Sequence, residues 1–230
     1  TRTISVDENY MFTVADSVVN NGSADVTPTP YGRVTRFGDP STRGFFILHE
    51  GPVGYIGGQG LKEVKYSALE SGAEVYDTAT TGWLGITDKY WAAALIPAQG
   101  QPFNGEFRRI EDAGGLRYQA DFSGARMAVP AGGSIALTNN LFAGAKEVKI
   151  IDSYNESLNL DHFNLIIDWG WFYFITQPMF ALLDWLYGIV GNFGIAILIA
   201  TVLLRLLFFP LANRSYRSMA AMRKVTPQVQ

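Results

Sequence analysis

The chain has 230 residues, of which 48% are hydrophobic and 13% aromatic, and its formal net charge is −3 at pH 7. This length allows one or two domains with a sizeable core. The lack of cysteine excludes a disulfide framework, a thiolate metal site and a cysteine nucleophile. All 21 acids lie within residues 1–184, whereas residues 185–230 hold five basic residues and no acid. The two parts are therefore expected to face different environments.

Residues 1–142 consist of short β-type runs separated by turns that contain Gly and Pro, without a long 3.6-residue period. The first run predicts a hairpin or a long strand with a turn at Asn20, Asn21 and Gly22. Further strands are predicted at residues 31–36, 44–48, 53–56, 61–65, 82–87, 90–97, 103–111, 116–127 and 133–142. Regular spacing of this kind predicts a large antiparallel β-sandwich.

A helix is predicted over residues 145–159, because Val148, Ile151, Tyr154 and Leu158 recur at three- and four-residue intervals. This helix is expected to close the sandwich. The β-rich part and the helix together make a first predicted domain, residues 1–160.

Residues 161–190 are crowded with aromatic side chains and predict an amphipathic helix, followed by a hinge, that lies in the outer interface of a bilayer. Such side chains settle at the level of the lipid headgroups. They are Trp169, Trp171, Phe172, Tyr173, Phe174, Trp185 and Tyr187. The alternative is a second span or a buried core helix, although Asp168, Gln177 and Asp184 interrupt the segment too closely for a clean span.

Residues 193–211 form a hydrophobic run in which thirteen of nineteen positions are Leu, Ile, Val or Phe. At about 1.5 Å per residue this helix is roughly 28 Å long, close to the ~30 Å of a bilayer core. A transmembrane helix is therefore predicted at residues 191–212. Residues 213–230 are expected in the cytoplasm, where short loops rich in Lys and Arg remain. The basic residues of this tail are Arg214, Arg217, Arg223 and Lys224.

One arginine, Arg205, lies inside the hydrophobic run, where a charge costs about 3 kcal/mol near the centre of a span. Such a residue faces water, a partner or a substrate, unless its side chain snorkels toward the cytoplasmic headgroups. Thr201 precedes Arg205 by four residues and shares its helix face. Pro210 is expected to kink or end the helix one turn later. A cation, a hydroxyl and a kink together indicate a surface that faces a wet cavity.

The sequence contains none of the G-x-S-x-G, phosphate-loop or H-E-x-x-H motifs that mark hydrolases, nucleotide sites and zinc proteases. His49 and His162 lie far apart in the chain and are interpreted as structural or surface residues rather than metal ligands. Glu111 and Asp112 are interpreted as part of a solvated turn. Neither a catalytic site nor a metal or cofactor site is therefore expected.

Residues 167–230 contain short motifs in an unbroken order: D-[WY]-G-W, I-[ST]-Q-P, V-G-N-[FW]-G, a single intramembrane arginine, P-L and S-M-A-x-M-R. Together these motifs resemble the bacterial YidC membrane-protein insertase family. Residues 81–97, TGWLGITDKYWAAALIP, resemble the most recognisable segment of the large periplasmic domain that Gram-negative members carry.

The resemblance implies a periplasmic β-supersandwich, an interfacial helix and one of five core spans, the other core helices being absent from this chain. It implies that Arg205 and Thr201 belong to a hydrophilic groove that receives nascent membrane proteins without a cofactor or nucleotide. Sec translocon subunits and the ribosome are implied as further partners, and no nucleic-acid sequence recognition is expected. The alternative is a membrane-anchored periplasmic β-sandwich that binds or modifies sugars, since the family's periplasmic fold resembles that of sugar-mutarotating enzymes.

The expected location is the bacterial inner membrane, with the N-terminal domain in the periplasm and the C-terminal tail in the cytoplasm. Thr1 opens directly onto strand-like alternation, without the basic and apolar regions of a signal peptide. Because an exported domain needs a signal, the chain is expected to be an excerpt of a longer protein. Residues 213–230 are expected to begin a cytoplasmic helical hairpin.

Overall fold

The computed structural model describes residues 1–40 and 48–225, which form two compact units, Thr1–Asp168 and Trp169–Gln230. The regular structure of the first unit is mainly antiparallel β-sheet, and the second unit is helical. This architecture confirms the predicted fold class. The strand predicted at residues 44–48 lies outside the described residues, apart from Leu48.

The described residues of the first unit form eleven strands, and all of their pairings are antiparallel. One sheet has seven strands in the order β1-β2-β11-β8-β7-β4-β5, and the other has four in the order β3-β10-β9-β6. The strands are β1 (Arg2–Val6), β2 (Met11–Val19), β3 (Tyr31–Phe37), β4 (Gly51–Ile56), β5 (Leu61–Glu63), β6 (Glu74–Val75), β7 (Gly82–Thr87), β8 (Trp91–Ile96), β9 (Phe103–Asp112), β10 (Gly115–Gly124) and β11 (Ser134–Ala145).

The first hairpin joins β1 to β2, and its turn is not where the sequence placed it. The connection lies at residues 7–10, where the Asp7 carboxylate accepts the backbone N–H groups of Asn9 and Met11 at 2.9 Å each. The predicted hairpin is therefore present, but its turn lies earlier in the run. The chain does turn at residues 20–22, as predicted, because the Asn20 side-chain oxygen accepts the Gly22 N–H at 3.0 Å after β2 ends at Val19. The buried side-chain amide of Asn20 donates to the carbonyl oxygens of Ala24 and Val129.

The central strands of the seven-stranded sheet are buried on both faces. On one face, β4, β7 and β8 pack against the four-stranded sheet through a cluster that includes Leu84 and Phe107. On the other face, a second cluster that includes Trp83 and Phe142 packs against the helical segment at the end of the unit. Two-sided burial explains why β7, with the sequence GWLGIT, is buried at every position and does not alternate with polar residues.

Helix α1 (Val148–Ser157) covers the outer face of the seven-stranded sheet rather than closing the space between the sheets. It is shorter than the predicted 145–159, because β11 continues to Ala145. The chain then stays on the same face through a 3-10 helix at Phe163–Ile166, whose end residues are buried. The first unit consequently extends to Asp168, beyond the boundary expected at residue 160.

Three short elements carry no strong periodicity and were not predicted. They are the two-residue strand β6 and the 3-10 helices Gly57–Gln59 and Tyr66–Glu70. Tyr66 and Leu69 from the longer 3-10 helix are buried in the cluster between the sheets. This helix therefore contributes to the core despite its length.

Two helices form the second unit, α2 (Tyr173–Val190) and α3 (Phe193–Val225). Gly191 ends α2 in the left-handed conformation, with φ of 65°, and its N–H donates to the Tyr187 carbonyl. Asn192 then starts α3, since its side-chain oxygen accepts the Ile195 N–H at 3.2 Å. Helix α3 continues through Pro210, so of the two expected effects, a kink or an end of the helix, the structure excludes the end.

Candidate functional site: the polar face of the membrane-spanning helix

Helix α3 has the length and composition of a membrane span over Phe193–Pro210, and in the described part of the chain it alone meets both criteria. Only 11% of this window is buried. Large apolar side chains such as Leu198, Leu207 and Phe209 are exposed around the helix. A helix that is apolar on all sides requires an apolar environment, such as lipid or neighbouring helices.

One narrow side of α3 packs against α2. Ala196 and Ala200, one turn apart on α3, are buried against Leu186 of α2, and Leu182 and Leu183 pack around them. Small residues at this position allow two helix backbones to approach closely. The two helices therefore form an antiparallel pair through the alanine side of α3.

Thr201 and Arg205 lie on the other side of α3. Nine positions separate Ala196 from Arg205, which at 3.6 residues per turn is two and a half turns, or about 180°. Both Thr201 and Arg205 are exposed, and among the described residues no ion pair of Arg205 is found. The Arg205 guanidinium is thus not covered by α2 and requires water, lipid phosphate or another part of a protein.

The Thr201 hydroxyl is held by its own helix. Its Oγ1 donates to the Ile197 carbonyl oxygen at 2.8 Å, the usual back-bond of a helical threonine. The oxygen lone pairs remain directed outward, one turn before Arg205. The face defined by Thr201 and Arg205, hereafter the polar face, therefore presents an acceptor followed by a cation.

Among the described side chains of the second unit the aromatic ones are exposed, apart from Trp169, which packs edge-on against Phe180 with ring centroids 5.5 Å apart. Trp171 is 95% exposed. The other exposed members are Phe172, Tyr173, Phe174, Trp185 and Tyr187. Since α2 lacks the apolarity of a span, this exposure is compatible with the predicted helix in the bilayer interface, which stays a prediction.

The two histidines make structural contacts in the first unit. His49 donates its backbone N–H to the Asp168 carboxylate at 2.6 Å, and its Nε2 lies 3.0 Å from the Pro52 carbonyl oxygen. His162 packs its ring on Tyr55 at 4.7 Å. Over residues 1–40 and 48–225, no group of three or more His, Asp and Glu side chains could hold a metal ion.

Comparison with known proteins decides the family. A family model described as the YidC periplasmic domain matches residues 1–182, and a second, described as 60Kd inner membrane protein, matches residues 185–230. The chain belongs to the YidC family. Residues 1–182 therefore correspond to the family's periplasmic domain, and residues 185–230 correspond to part of an inner membrane protein.

Three relatives illustrate the similarity to the YidC family. Proteins of Rhizobium etli (strain CIAT 652) and Rhizobium meliloti (strain 1021) are each 51% identical over the whole chain, and one of Mesorhizobium japonicum is 52% identical over 99% of it. All three are named membrane protein insertase YidC. The chain spans only 38–39% of their length.

The second YidC family match includes the spanning part of α3 and the basic residues that follow it. The helix runs without interruption from the span to Val225, so Arg217, Arg223 and Lys224 lie on the same helix as Arg205. Arg214, whose side chain is described, is exposed. This arrangement places a run of cations directly after the span, as the positive-inside rule expects of a cytoplasmic end.

Proposed function

We propose that the chain is the part of a membrane protein insertase in which a periplasmic β-sandwich is followed by a helix in the bilayer interface and by one core span. The polar face of that span contributes Arg205 and Thr201 to a hydrophilic groove for membrane-protein substrates. Family membership and the names of the relatives support the activity. The observation that carries the role of Arg205 is its position on a span-length helix, on the side opposite the α2 contact.

The chemistry of the polar face suits such a groove. A membrane-protein substrate must bring a polar or acidic extracytoplasmic segment into a medium where unsatisfied polar groups cost several kcal/mol each. A fixed guanidinium in a wet cavity attracts this segment and replaces part of its hydration. Exposed apolar side chains on both sides of the polar face leave the substrate's hydrophobic segment free to enter lipid.

One span does not enclose a groove. The curated relatives are more than twice as long as this chain, since the chain covers 38% of their length. The remaining walls would come from sequence outside these 230 residues. Helix α2 already covers the Ala196 and Ala200 side, so the other walls would stand on the polar-face side.

The proposed topology has the sandwich in the periplasm and the basic end of α3 in the cytoplasm. It is supported by the periplasmic family match and by the lack of acids after Asp184, together with five basic residues in the same stretch. Sec translocon subunits and the ribosome are proposed partners on the basis of the family resemblance. No cofactor or nucleotide takes part in the proposed activity.

A chimera tests the role of Arg205. In it, this chain replaces the aligned 38% of the Rhizobium etli relative, so that the polar face is present in a full-length protein. Insertion of single-span substrates with acidic extracytoplasmic segments is measured in cells depleted of their own insertase. Arg205→Ala is expected to impair insertion of these substrates, whereas Arg205→Lys retains it because the cation is kept.

Arg214→Ala is the matched control, since it removes an exposed arginine beyond the span. It is expected to insert substrates at the rate of the unsubstituted chimera when present at equal membrane levels. Wild-type insertion of every substrate by Arg205→Ala would contradict the groove role and leave snorkelling as the explanation of this residue.

The contacts of the two histidines argue against the sugar-modifying alternative. A sugar-mutarotating enzyme would need a histidine ring and a carboxylate close to the same substrate atom. The Asp168 carboxylate contacts His49 through the backbone N–H, whereas the His49 Nε2 lies 3.0 Å from the Pro52 carbonyl oxygen. The His162 ring packs at a tilt against Tyr55. The insertase proposal is therefore preferred.

A further inference from the structure

Two large aromatic side chains are exposed at the tip of the β7–β8 hairpin. The tip is tight, because Thr87 pairs with Ala92 and the Asp88 N–H donates to the Trp91 carbonyl at 2.8 Å. Tyr90 is 64% exposed and Trp91 is 61% exposed. Residues 88–90 connect the two strands, and Trp91 is the first residue of β8. Exposed Tyr and Trp at so short a connection are unusual for a solvated turn, where small polar residues prevail.

The neighbouring Lys89 adds a cation to the hairpin tip. Its side chain is exposed, and its ammonium lies 5.0 Å from the centre of the Tyr90 ring. The adjacent Asp88 carboxylate forms an ion pair with Arg36, so its charge is compensated. The tip therefore presents two amphipathic rings and one net positive charge.

Lys146 holds the hairpin tip through two hydrogen bonds. Its backbone N–H donates to the Tyr90 carbonyl at 2.9 Å, and its ammonium donates to the Thr87 hydroxyl at 2.8 Å. Next to Lys146, Ala145 is the strand partner of Trp91. The tip is consequently held by a central strand of the sheet and does not depend on the loop alone.

Lys146 also shows which end of the unit carries the tip. Burial lowers the pKa of its ammonium, while nearby carboxylates, Asp168 first and then Asp88, oppose that shift. Hydrogen bonding and strand pairing place Asp168 at the same end: its carboxylate accepts the His49 N–H at 2.6 Å, and Gly51, two residues after His49, is the strand partner of Thr87 next to the hairpin tip. Trp169, the next residue and the first of the aromatic group, lies about 3.8 Å from Asp168 along the chain. The chain leaves the first unit at the end that bears Tyr90 and Trp91.

A cleft beside Trp91 offers a competing explanation for its exposure. The cleft has a volume of about 370 Å³ and is lined by residues that include Val34, Arg36, Asp88 and Trp91. An aromatic ring next to charged groups can bind a sugar. However, Arg36 and Asp88 bind each other, which occupies the groups that would bind sugar hydroxyls.

We propose that Lys89, Tyr90 and Trp91 form a second membrane contact, through which the periplasmic sandwich touches the lipid headgroups of the outer leaflet. Tyr and Trp favour this layer because they combine an apolar ring with a polar atom, and the lysine suits lipid phosphate. The inference rests on the proposed function, since it takes the aromatic group that begins at Trp169 to lie in the same interface.

Fluorescence quenching in nanodiscs tests this contact. The chain has no cysteine, so Lys89→Cys carries a single fluorophore beside both rings. The label takes the place of the lysine, so its quenching reports the contact made by Tyr90 and Trp91. The full chain is placed in nanodiscs of phosphatidylethanolamine and phosphatidylglycerol that contain a headgroup-spin-labelled lipid as quencher. Quenching at residue 89 is expected to be severalfold stronger than at Ser134→Cys. Ser134 is exposed and lies at the far end of β11, about 36 Å from Ala145 for eleven strand steps.

A second set of variants tests whether the two rings themselves make the contact or whether residue 89 only lies near the membrane. With Tyr90→Ala and Trp91→Ala added, quenching at residue 89 is expected to fall to the level at residue 134, with an unchanged circular dichroism spectrum. Quenching that survives the double substitution would overturn the proposal. Protection of the label by a soluble oligosaccharide, without headgroup quenching, would overturn it in favour of a sugar site.

A third label position reports on the underlying function. Trp171→Cys, at the most exposed aromatic residue of the second unit, is expected to be quenched strongly. Quenching at residue 171 without quenching at residue 89 would overturn the hairpin contact and leave the proposed function intact. Lack of quenching at residue 171 would remove the interfacial placement and overturn both.

Discussion

Phe163 provides a sharp test of where the first unit ends. If the domain ended at residue 160, as expected from the sequence, Phe163 would be a linker residue of little energetic importance. In the structure its side chain is fully buried, with ring centroids 5.5 Å from Trp83 and 5.9 Å from Phe142. Its N–H also donates to the Asn155 side chain at 2.7 Å.

Replacing Phe163 with alanine is expected to lower the free energy of unfolding of the first unit by about 3–5 kcal/mol, as for other fully buried phenylalanines. The cavity opens next to Trp83, so near-UV circular dichroism of the full chain in detergent micelles follows the change directly. The guanidinium midpoint is expected to fall by roughly 1 M for a unit of this size.

Phe172→Ala is the matched control, because it makes the same change at an exposed position of the second unit. It is expected to leave the unfolding transition within about 0.5 kcal/mol of wild type. A loss of less than about 1 kcal/mol in Phe163→Ala would refute the reasoning, since no buried phenylalanine of a packed core is that dispensable.

Two further predictions concern the sandwich. Acid should destabilise the sandwich. Hydrogen bonds from Arg2 and Arg117 lower the pKa values of Asp16 and Asp112 in the folded state. The stability that these carboxylates contribute is present above their unfolded pKa of about 4 and is lost as the pH falls through their folded pKa values. A midpoint unchanged between pH 6 and pH 2 would contradict this. Gly85→Ala should lower the free energy of unfolding by about 1–3 kcal/mol, because a Cβ at this position would lie 2.0 Å from the Ala93 carbonyl oxygen. The control Gly58→Ala places its Cβ in open space and should be tolerated. Equal thermal midpoints of the two variants would contradict this prediction.

Sequence reasoning located most strands because turn chemistry and alternation are local signals. The strand at Gly82–Thr87 was predicted with its exact bounds, and the strands at Tyr31–Phe37 and Phe103–Asp112 within one residue at one end. The turn of the first hairpin was not located, because Asn-Gly at residues 21–22 is the stronger turn signal, whereas the hairpin turn depends on the Asp7 carboxylate. An aspartate that accepts the N–H two residues further on is a common turn feature, but a single Asp is a weaker signal than Asn-Gly.

The end of the first unit escaped prediction for a different reason. Residues 160–168 have no periodicity, and they belong to the unit because the outer face of the seven-stranded sheet buries Leu160, Phe163 and Ile166. Burial on a second face is a tertiary property that strand composition alone does not reveal. Likewise Lys146 looks like an ordinary surface lysine in the sequence, yet it links the hairpin tip to the end of the unit.

More of the candidate site than of the domain boundary could be predicted from the sequence. A charged residue in a span is conspicuous, and the four-residue spacing from Thr201 to Arg205 places the two on one face. The structure adds that Ala196 and Ala200 occupy the opposite side. The sequence could not show this, because it depends on how α2 returns against α3.

The connection between α2 and α3 has a mechanical consequence. Gly191 and Asn192 are the only residues between the helices, and each is fixed by a backbone or side-chain hydrogen bond to a helix end. Such a short connection couples the two helices, so neither helix can shift along its axis or rotate by a large angle without moving the other. In the proposed insertase, a force on Arg205 from a bound substrate would therefore be transmitted to α2 as well as to the span, and the aromatic side chains of α2 in the bilayer interface would hold the guanidinium at a constant depth.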